Sequence, residues 1–240
     1  MKKILEIQNY NWHVVVYIIL GILLLKVIHK NYKLSLSKKM YSNLSLALVS
    51  SLETASTFND IDTGKHTKRI GLYSKLIAEK LKLSKKTINE IGNVASLHDV
   101  GKIGIDHSIL KKRGRLTREE FTIMETHTII GYEILKKSLL GKIAENIALY
   151  HHEKWNGKGY PRGLRRYEIP IEARIVAVAD VYDALRQKRV YKEGIIHEEA
   201  LKLIVKESGI SFDPQIVNIF LENEHIFAEI YSTMGEKYDI

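Results

Sequence analysis

The sequence predicts an all-α protein, and three observations carry that prediction. Apolar side chains recur at three- and four-residue spacing along the 240-residue chain, alternating apolar–polar runs are absent, and helix-start signals precede the periodic stretches. The one near-extended piece is Lys102 to Ile105. No internal repeat or low-complexity tract breaks the pattern.

Residues 1–11 form a short N-terminus. Residues 12–28, WHVVVYIILGILLLKVI, are almost purely apolar. At ~1.5 Å per residue they extend about 25 Å, and Trp12, Tyr17 and Lys26 can serve as interfacial anchors that close the deficit to a ~30 Å hydrocarbon core. A cleaved signal peptide would need a small-x-small site after the run, and a core helix would show a polar face; neither is present. The reading is a single transmembrane helix. Lys26, Lys30, Lys33, Lys38 and Lys39 follow without an acid among them, which places the N-terminus outside and the remainder in the cytoplasm, anchored to the cell membrane.

Residues 29–60 read as a juxtamembrane helical linker with a stripe of Leu44, Leu48, Val49 and Leu52. Packing on the domain behind it is the default for such a stripe; a dimerising contact or one with other signalling proteins is the alternative. Residues 61–223 form the main domain. Thr63 is the expected cap of a helix carrying Ile70, Tyr73, Ile77 and Leu81. Ser84 opens a second, with Ile88, Ile91, Ala95 and His98 in register. Thr117 to Glu120 is a capping box for a helix bearing Phe121, Met124, Ile130 and Ile134. A short helix over 142–152 ends in His151-His152. Pro170 opens IEARIVAVADVYDAL, too apolar to be exposed, and two further helices fall near 197–207 and 214–223. Residues 224–240 read as a C-terminal tail.

Cysteine is absent, so disulfides, thiolate metal sites and a cysteine nucleophile are excluded, and any metal must be held by His, Asp and Glu. A net charge of +9 suits an anionic partner such as a membrane surface, nucleotide or nucleic acid, although a solvated lysine-rich surface explains it equally well. Nucleic acid is the least favoured, since no basic stripe is interleaved with aromatics.

His66, His98, Asp99, His127, His151, His152 and Asp180 all interrupt apolar helical stretches. An unpaired carboxylate within Val176–Val181 would cost several kcal/mol or be forced to protonate. One buried histidine is ordinarily a satisfied core residue. Seven such groups without a visible cationic partner point to metal, and exceed the needs of one ion. Lys102, one turn beyond His98-Asp99, puts a point charge where a phosphate could sit. Asn156-Gly157-Lys158-Gly159-Tyr160-Pro161 follows the histidine pair and reads as a wall of the same pocket. Arg186, Lys188, Arg189 and Lys192 are either a solvated face or a phosphate clamp.

These motifs resemble the HD-GYP domains, a branch of the HD phosphohydrolase superfamily acting on cyclic dinucleotides, chiefly cyclic di-GMP. The resemblance runs from Asp62 to Pro214 through Asp62–Arg69, His98-Asp99, Leu116-Thr117 with His127, His151-His152-Glu153, Gly159-Tyr160-Pro161, Asp180–Leu185, Arg189 and Phe212-Asp213-Pro214. It implies an HD-type helical bundle and a metal-dependent phosphodiesterase that makes pGpG, GMP or both. It implies metal ligation by the seven residues above, with Asp62 where many members carry Glu. Catalytic roles fall to Asp99, shared between two ions, and Lys102; Lys102, Gly159, Tyr160, Arg189 and Lys192 would meet substrate. The expected cofactor is two divalent ions, iron or manganese, with a third site at Asp62 weak or empty. The rival readings are a phosphodiesterase for another cyclic dinucleotide, such as cyclic GMP-AMP, and a membrane-tethered receptor without turnover.

Several positions depart from the family pattern. Asn156 stands where Asp is usual, Asp106-His107 replaces Pro-Asp, Arg165-Arg166-Tyr167 replaces a tighter glycine-containing turn, and Val190 replaces a proline. None removes a metal-binding group.

Overall fold

The computed structural model describes residues 2–57, 64–187 and 194–236. All regular structure among them is helical; β pairing is limited to isolated bridges, Asn156 with Arg165 and Ser208 with Phe212. The chain divides into two units, Met1–Ala47 and Leu48–Ile240.

The first unit is helix α1, which continues to Thr57 (Lys2–Thr57). The predicted span and the linker as far as Thr57 therefore lie on one unbroken helix, with no proline or glycine pair to stop it; residues 58–60 of the linker lie outside the described residues. Its apolar side chains from Trp12 to Ile28 are exposed, and the stretch Trp12–Leu52 is long and apolar enough to cross a membrane.

In the second unit α2 (Gly64–Lys80), α3 (Lys85–Val94), α7 (Lys142–Tyr150) and α8 (Ile171–Arg186) enclose the core, with α2 packed on α3 and α8. Ile70, Tyr73, Ile77, Ile91, Ile147, Ile175, Val178 and Tyr182 are all fully buried there. The expected caps form: Ser84 accepts from the Thr87 amide at 3.1 Å, and Thr117 and Glu120 close a reciprocal box at the start of α5 (Arg118–Glu125). Asp213 caps α10 (Pro214–Glu222), with proline in its first turn. Between α3 and α5 lies the four-residue α4 (His107–Leu110), capped by Asp106, whose carboxylate accepts from the Ser108 amide at 2.7 Å. Helix α9 (His197–Lys206) precedes α10. Thr63 lies outside the described residues.

Four expectations are corrected. The helix expected to reach His98 ends at Val94 and continues as 3-10 turns, Ala95–Leu97 and Val100–Gly104. Lys102 to Ile105 is thus mainly turn rather than extended, because the Lys102 and Ile105 amides bond back to Asp99 and Lys102. The helix after Thr117 breaks at Thr126, where the Thr126 hydroxyl and the His127 ring take the Ile123 and Met124 carbonyls at 2.6 Å each; α6 (His127–Lys136) then starts on His127. Residues beyond 223, read as a tail, carry α11 (Glu224–Glu236). Phe227 is fully buried there, stacked on Tyr73 at 5.1 Å and edge-on to Phe220 at 4.6 Å. Ile226-Phe227 and Ile230, three to four residues apart, were the available sign.

Candidate metal centre

Helix ends and turns, rather than helix middles, deliver most of the polar side chains. His98 and Asp99 stand between the two 3-10 turns, His127 begins α6, and His151 caps α7 with His152 following. His66 comes from the start of α2, and Asp180 from the middle of α8. Gly101 lets the His98-Asp99 turn reach α6: a Cβ there would lie 1.9 Å from the His127 carbonyl oxygen and 2.4 Å from the Gly131 amide nitrogen.

The residues gather into two groups. Asp99, His127, His151 and His152 form one; His66, His98 and Asp180 form the other, with donor atoms in each lying within 4.8 Å of one another. Asp99 joins them. Its Oδ1 lies 3.2 Å from His127 Nε2 and 3.5 Å from His151 Nε2, while its Oδ2 lies 3.3 Å from His98 Nε2. Asp180 Oδ1 lies 3.7 Å from His66 Nε2 and 3.6 Å from His98 Nε2.

The tautomers follow from the outer hydrogen bonds. His98, His127 and His151 donate Nδ1–H to the carbonyls of Ala95 (3.0 Å), Met124 (2.6 Å) and Ile147 (3.0 Å). His66 donates Nδ1–H to Asp183 at 2.7 Å. In a neutral imidazole each Nε2 is then a bare lone pair. Those four nitrogens and Asp99 Oδ1 are buried with no hydrogen-bond partner among the described residues. Lone pairs facing lone pairs at 3.2–3.7 Å repel unless a cation lies among them. Protons can meet only part of this need. Burial opposes charge on His98, but Asp99 and Asp180 outweigh it and push the ring up to about 9. Burial holds His151 and His152 low, so these rings stay neutral. Burial also works against the Asp99 charge, but Lys102, His98 and the facing histidines keep the carboxylate ionised, well below its usual range. Imidazole and carboxylate donors of this kind fit divalent transition ions, and the orphaned atoms are where such ions would be held.

Lys102 Nζ sits 2.7 Å from Asp99 Oδ2. The loop after His152 folds tightly against it: a Cβ on Gly159 would fall 2.3 Å from the Lys154 amide nitrogen and 2.5 Å from the His152 carbonyl oxygen. Tyr160 then tilts over His152 at 4.8 Å and meets Phe121 edge-on at 6.1 Å. Glu153, buried, braces the loop by accepting the Arg162 and Leu164 amides at 2.7 and 3.0 Å. Asn156 accepts the Lys158 amide at 2.9 Å, a turn bond that an Asp would make equally well. Of the sequence-derived site residues, Asp62, Lys188, Arg189 and Lys192 lie outside the described residues. The structure brings His66, His98, Asp99, His127, His151, His152 and Asp180 together with Lys102, Gly159 and Tyr160 beside them, whereas Arg186 lies against the Tyr231 ring.

Sequence reasoning assigned no role to Asp183 or Arg69. Asp183 is fully buried and receives the Arg69 guanidinium as a fork, Nε at 2.6 Å and Nη2 at 2.8 Å, besides the His66 ring. Burial would raise the Asp183 carboxyl, but these bonds hold it lowered and ionised. A second carboxylate one turn past Asp180 in an apolar helix was the available signal.

A family profile described as HD domain matches residues 58–216. The chain belongs to the HD domain family. The HD-GYP resemblance agrees with the relatives. The chain is 44% identical over 193 residues to a "Cyclic di-GMP phosphodiesterase" of Thermotoga maritima, covering 80% of this chain and 52% of that protein. It is 39% identical over 194 residues to a "3'3'-cGAMP-specific phosphodiesterase 2" of Vibrio cholerae, covering 80% and 37%. The chain thus spans about half or less of the length of these relatives. Among solved structures, a cyclic GMP-AMP specific phosphodiesterase of V. cholerae superposes with a TM-score of 0.60 at 21% identity, covering 81% of this chain and 51% of that one. The HD domain of the L. monocytogenes phosphodiesterase PgpH, solved in complex with cyclic-di-AMP, gives 0.53 at 18% identity, covering 79% and 98%. These two similarities establish that this HD domain has the all-helical fold expected of it.

Proposed function

We propose that the chain is a metal-dependent phosphodiesterase that hydrolyses cyclic di-GMP to pGpG, GMP or both in bacterial second-messenger signalling. The observation that carries this reading is the pair of buried acceptor groups sharing Asp99, a donor arrangement for two ions side by side. The relatives' names supply the substrate class. His66, His98 and Asp180 would hold one ion, and His127, His151 and His152 the other, with Asp99 common to both. Their His and carboxylate chemistry favours iron or manganese. When bound, such ions supply the Lewis acidity and the activated water that a phosphodiester needs at neutral pH.

The chain's own residues bind and orient the substrate. Lys102, held at Asp99, offsets charge on a phosphate placed over the pair. Tyr160 and Gly159 form the wall beside His152, where a base or ribose would lie. Arg189 offers a planar fork for two phosphate oxygens and Lys192 a point charge. Arg189→Ala is expected to lower turnover or substrate affinity by about 10-fold, the size of one charge-assisted contact, with metal content unchanged. Loss of metal with affinity retained would make Arg189 structural.

Asp62 is a candidate ligand for a third ion, one methylene shorter than the Glu of many relatives. Asp62→Ala is expected to reduce activity less than Asp99→Ala does and to leave two metals bound. Three stoichiometric ions that fall to two with complete loss of activity would reverse that assignment.

The apolar run 12–28 is read as the anchor, with the domain on the cytoplasmic side. The full-length protein is expected in the membrane fraction, released by detergent and not by high salt; a soluble full-length protein would remove the anchor. The test of the activity is turnover of cyclic di-GMP, cyclic GMP-AMP and cyclic di-AMP by the full chain in detergent, purified without oxygen and with its metals counted. A second reading, preference for cyclic GMP-AMP, is favoured by the cGAMP-specific relative and would show as faster turnover of that substrate. Tight binding of any of them without turnover would support a receptor instead.

A further inference from the structure

The last described helix reaches the centre through one side chain. Tyr231 of α11 has the Arg69 guanidinium over its ring at 4.9 Å and that of Arg186 at 4.6 Å, and its hydroxyl donates to the Arg186 carbonyl at 2.7 Å. Arg69 is buried, so its orientation is set by what faces it: the ring on one side and the Asp183 carboxylate on the other. Asp183 in turn takes the His66 Nδ1–H and so aims His66 Nε2 at Asp180. The sequence of contacts is ring, guanidinium, carboxylate, imidazole, and it ends on one of the two metal-holding groups. Tyr231 lies beyond residues 58–216, the part of the chain that the family profile matches.

We propose that Tyr231 is a positioning residue for the His66–His98–Asp180 group, acting through Arg69 and Asp183, so that α11 sets the metal affinity of that group and leaves the other alone. The inference rests on the metal reading above. A flat π face suits a guanidinium that must stay planar with its carboxylate, and an aliphatic side chain would fill space without the attraction. Partners that orient a ligating histidine typically change metal affinity by about 10–100-fold when removed. Tyr231 stands two contacts further out than Asp183 does from a metal, which argues for a smaller effect.

The test titrates Mn2+ into chelator-stripped full-length protein in detergent and follows the separate binding events by calorimetry. Asp180→Ala identifies the event that belongs to its group. Tyr231→Leu is expected to weaken that event by about 3–10-fold and to leave the other within twofold. Tyr231→Phe keeps the ring and should remain within twofold on both. Arg69→Lys should weaken the same event, and combining it with Tyr231→Leu should add little, because both act along one path. Equal weakening of both events, or no change, would overturn the proposal. If Tyr231→Leu fails to fold, Tyr231→Met, closer in length, takes its place; failure of both to fold would make the ring structural and also overturn it. A wild-type protein that binds no Mn2+, or an Asp180→Ala variant that loses no event, would instead count against the metal reading itself.

Discussion

Replacing Asp99 by alanine is expected to abolish phosphodiester hydrolysis, by about 10³-fold or more, and to lower the bound metal while the helices persist. Among the described residues the carboxylate faces both halves of the centre, Oδ1 toward His127 and His151 and Oδ2 toward His98. Several kcal/mol of Lewis-acid stabilisation, at about 1.4 kcal/mol per tenfold, accounts for that size of loss. Asp99→Asn makes the sharper test. Its amide can donate to the bare His127 or His151 Nε2, converting a repulsive contact into a hydrogen bond. The asparagine variant should therefore be as inactive as the alanine one, yet its chelator-treated form should melt no lower than chelator-treated wild type. Near-wild-type turnover in either variant would remove Asp99 from the chemistry.

Gly101→Ala is expected to be the most damaging single methyl group in the domain. The added carbon would fall 1.9 Å from the His127 carbonyl oxygen and 2.4 Å from the Gly131 nitrogen, both of them backbone. A flexible side chain could swing aside; the first turn of α6 cannot. Relief requires α6 and the His98-Asp99 turn to separate, at a cost at or above the ~3 kcal/mol upper end of ordinary overpacking. Because His127 is the first residue of α6, the same shift draws its ring away from Asp99. The expected result is a thermal midpoint lower by many degrees and metal loss in whatever folded protein remains, read by circular dichroism and metal analysis. A stable, metal-loaded Gly101→Ala protein would show that the two segments can move apart freely.

Much of this was legible in the sequence because its signals are local. Ser84 and the Thr117–Glu120 box announce helix starts through bonds that span three residues. His66, His98, His127, His151 and Asp180 stand out since a polar group in an apolar stripe needs a reason. What escaped is non-local or depends on side chains turning back on the backbone. Arg69 and Asp183 are 114 positions apart, and no periodicity links them. The breaks at Val94 and Thr126 arise where histidine and threonine side chains capture carbonyls that a continuing helix would have used. The family resemblance placed Asp99 between two ions, but which ligands fall in which group depends on how α2, α6, α7 and α8 pack, which spacing along one helix does not encode.

The bonds from histidine Nδ1 to the carbonyls of Ala95, Met124 and Ile147 reach back only three or four residues each. Each ring is thus held through Nδ1 by its own turn of backbone, separately from the Nε2 that would meet an ion. In small zinc domains the metal gathers its ligands, and its release unfolds the chain. Here loading and stripping should behave as ordinary reversible ligand binding on a standing scaffold. Emptied protein should refill on a diffusion timescale without passing through a denatured form, and one ion should exchange for another without a refolding step. Activity would then follow the free concentration of the metal around the domain, as an occupancy curve rather than a record of how the protein was made.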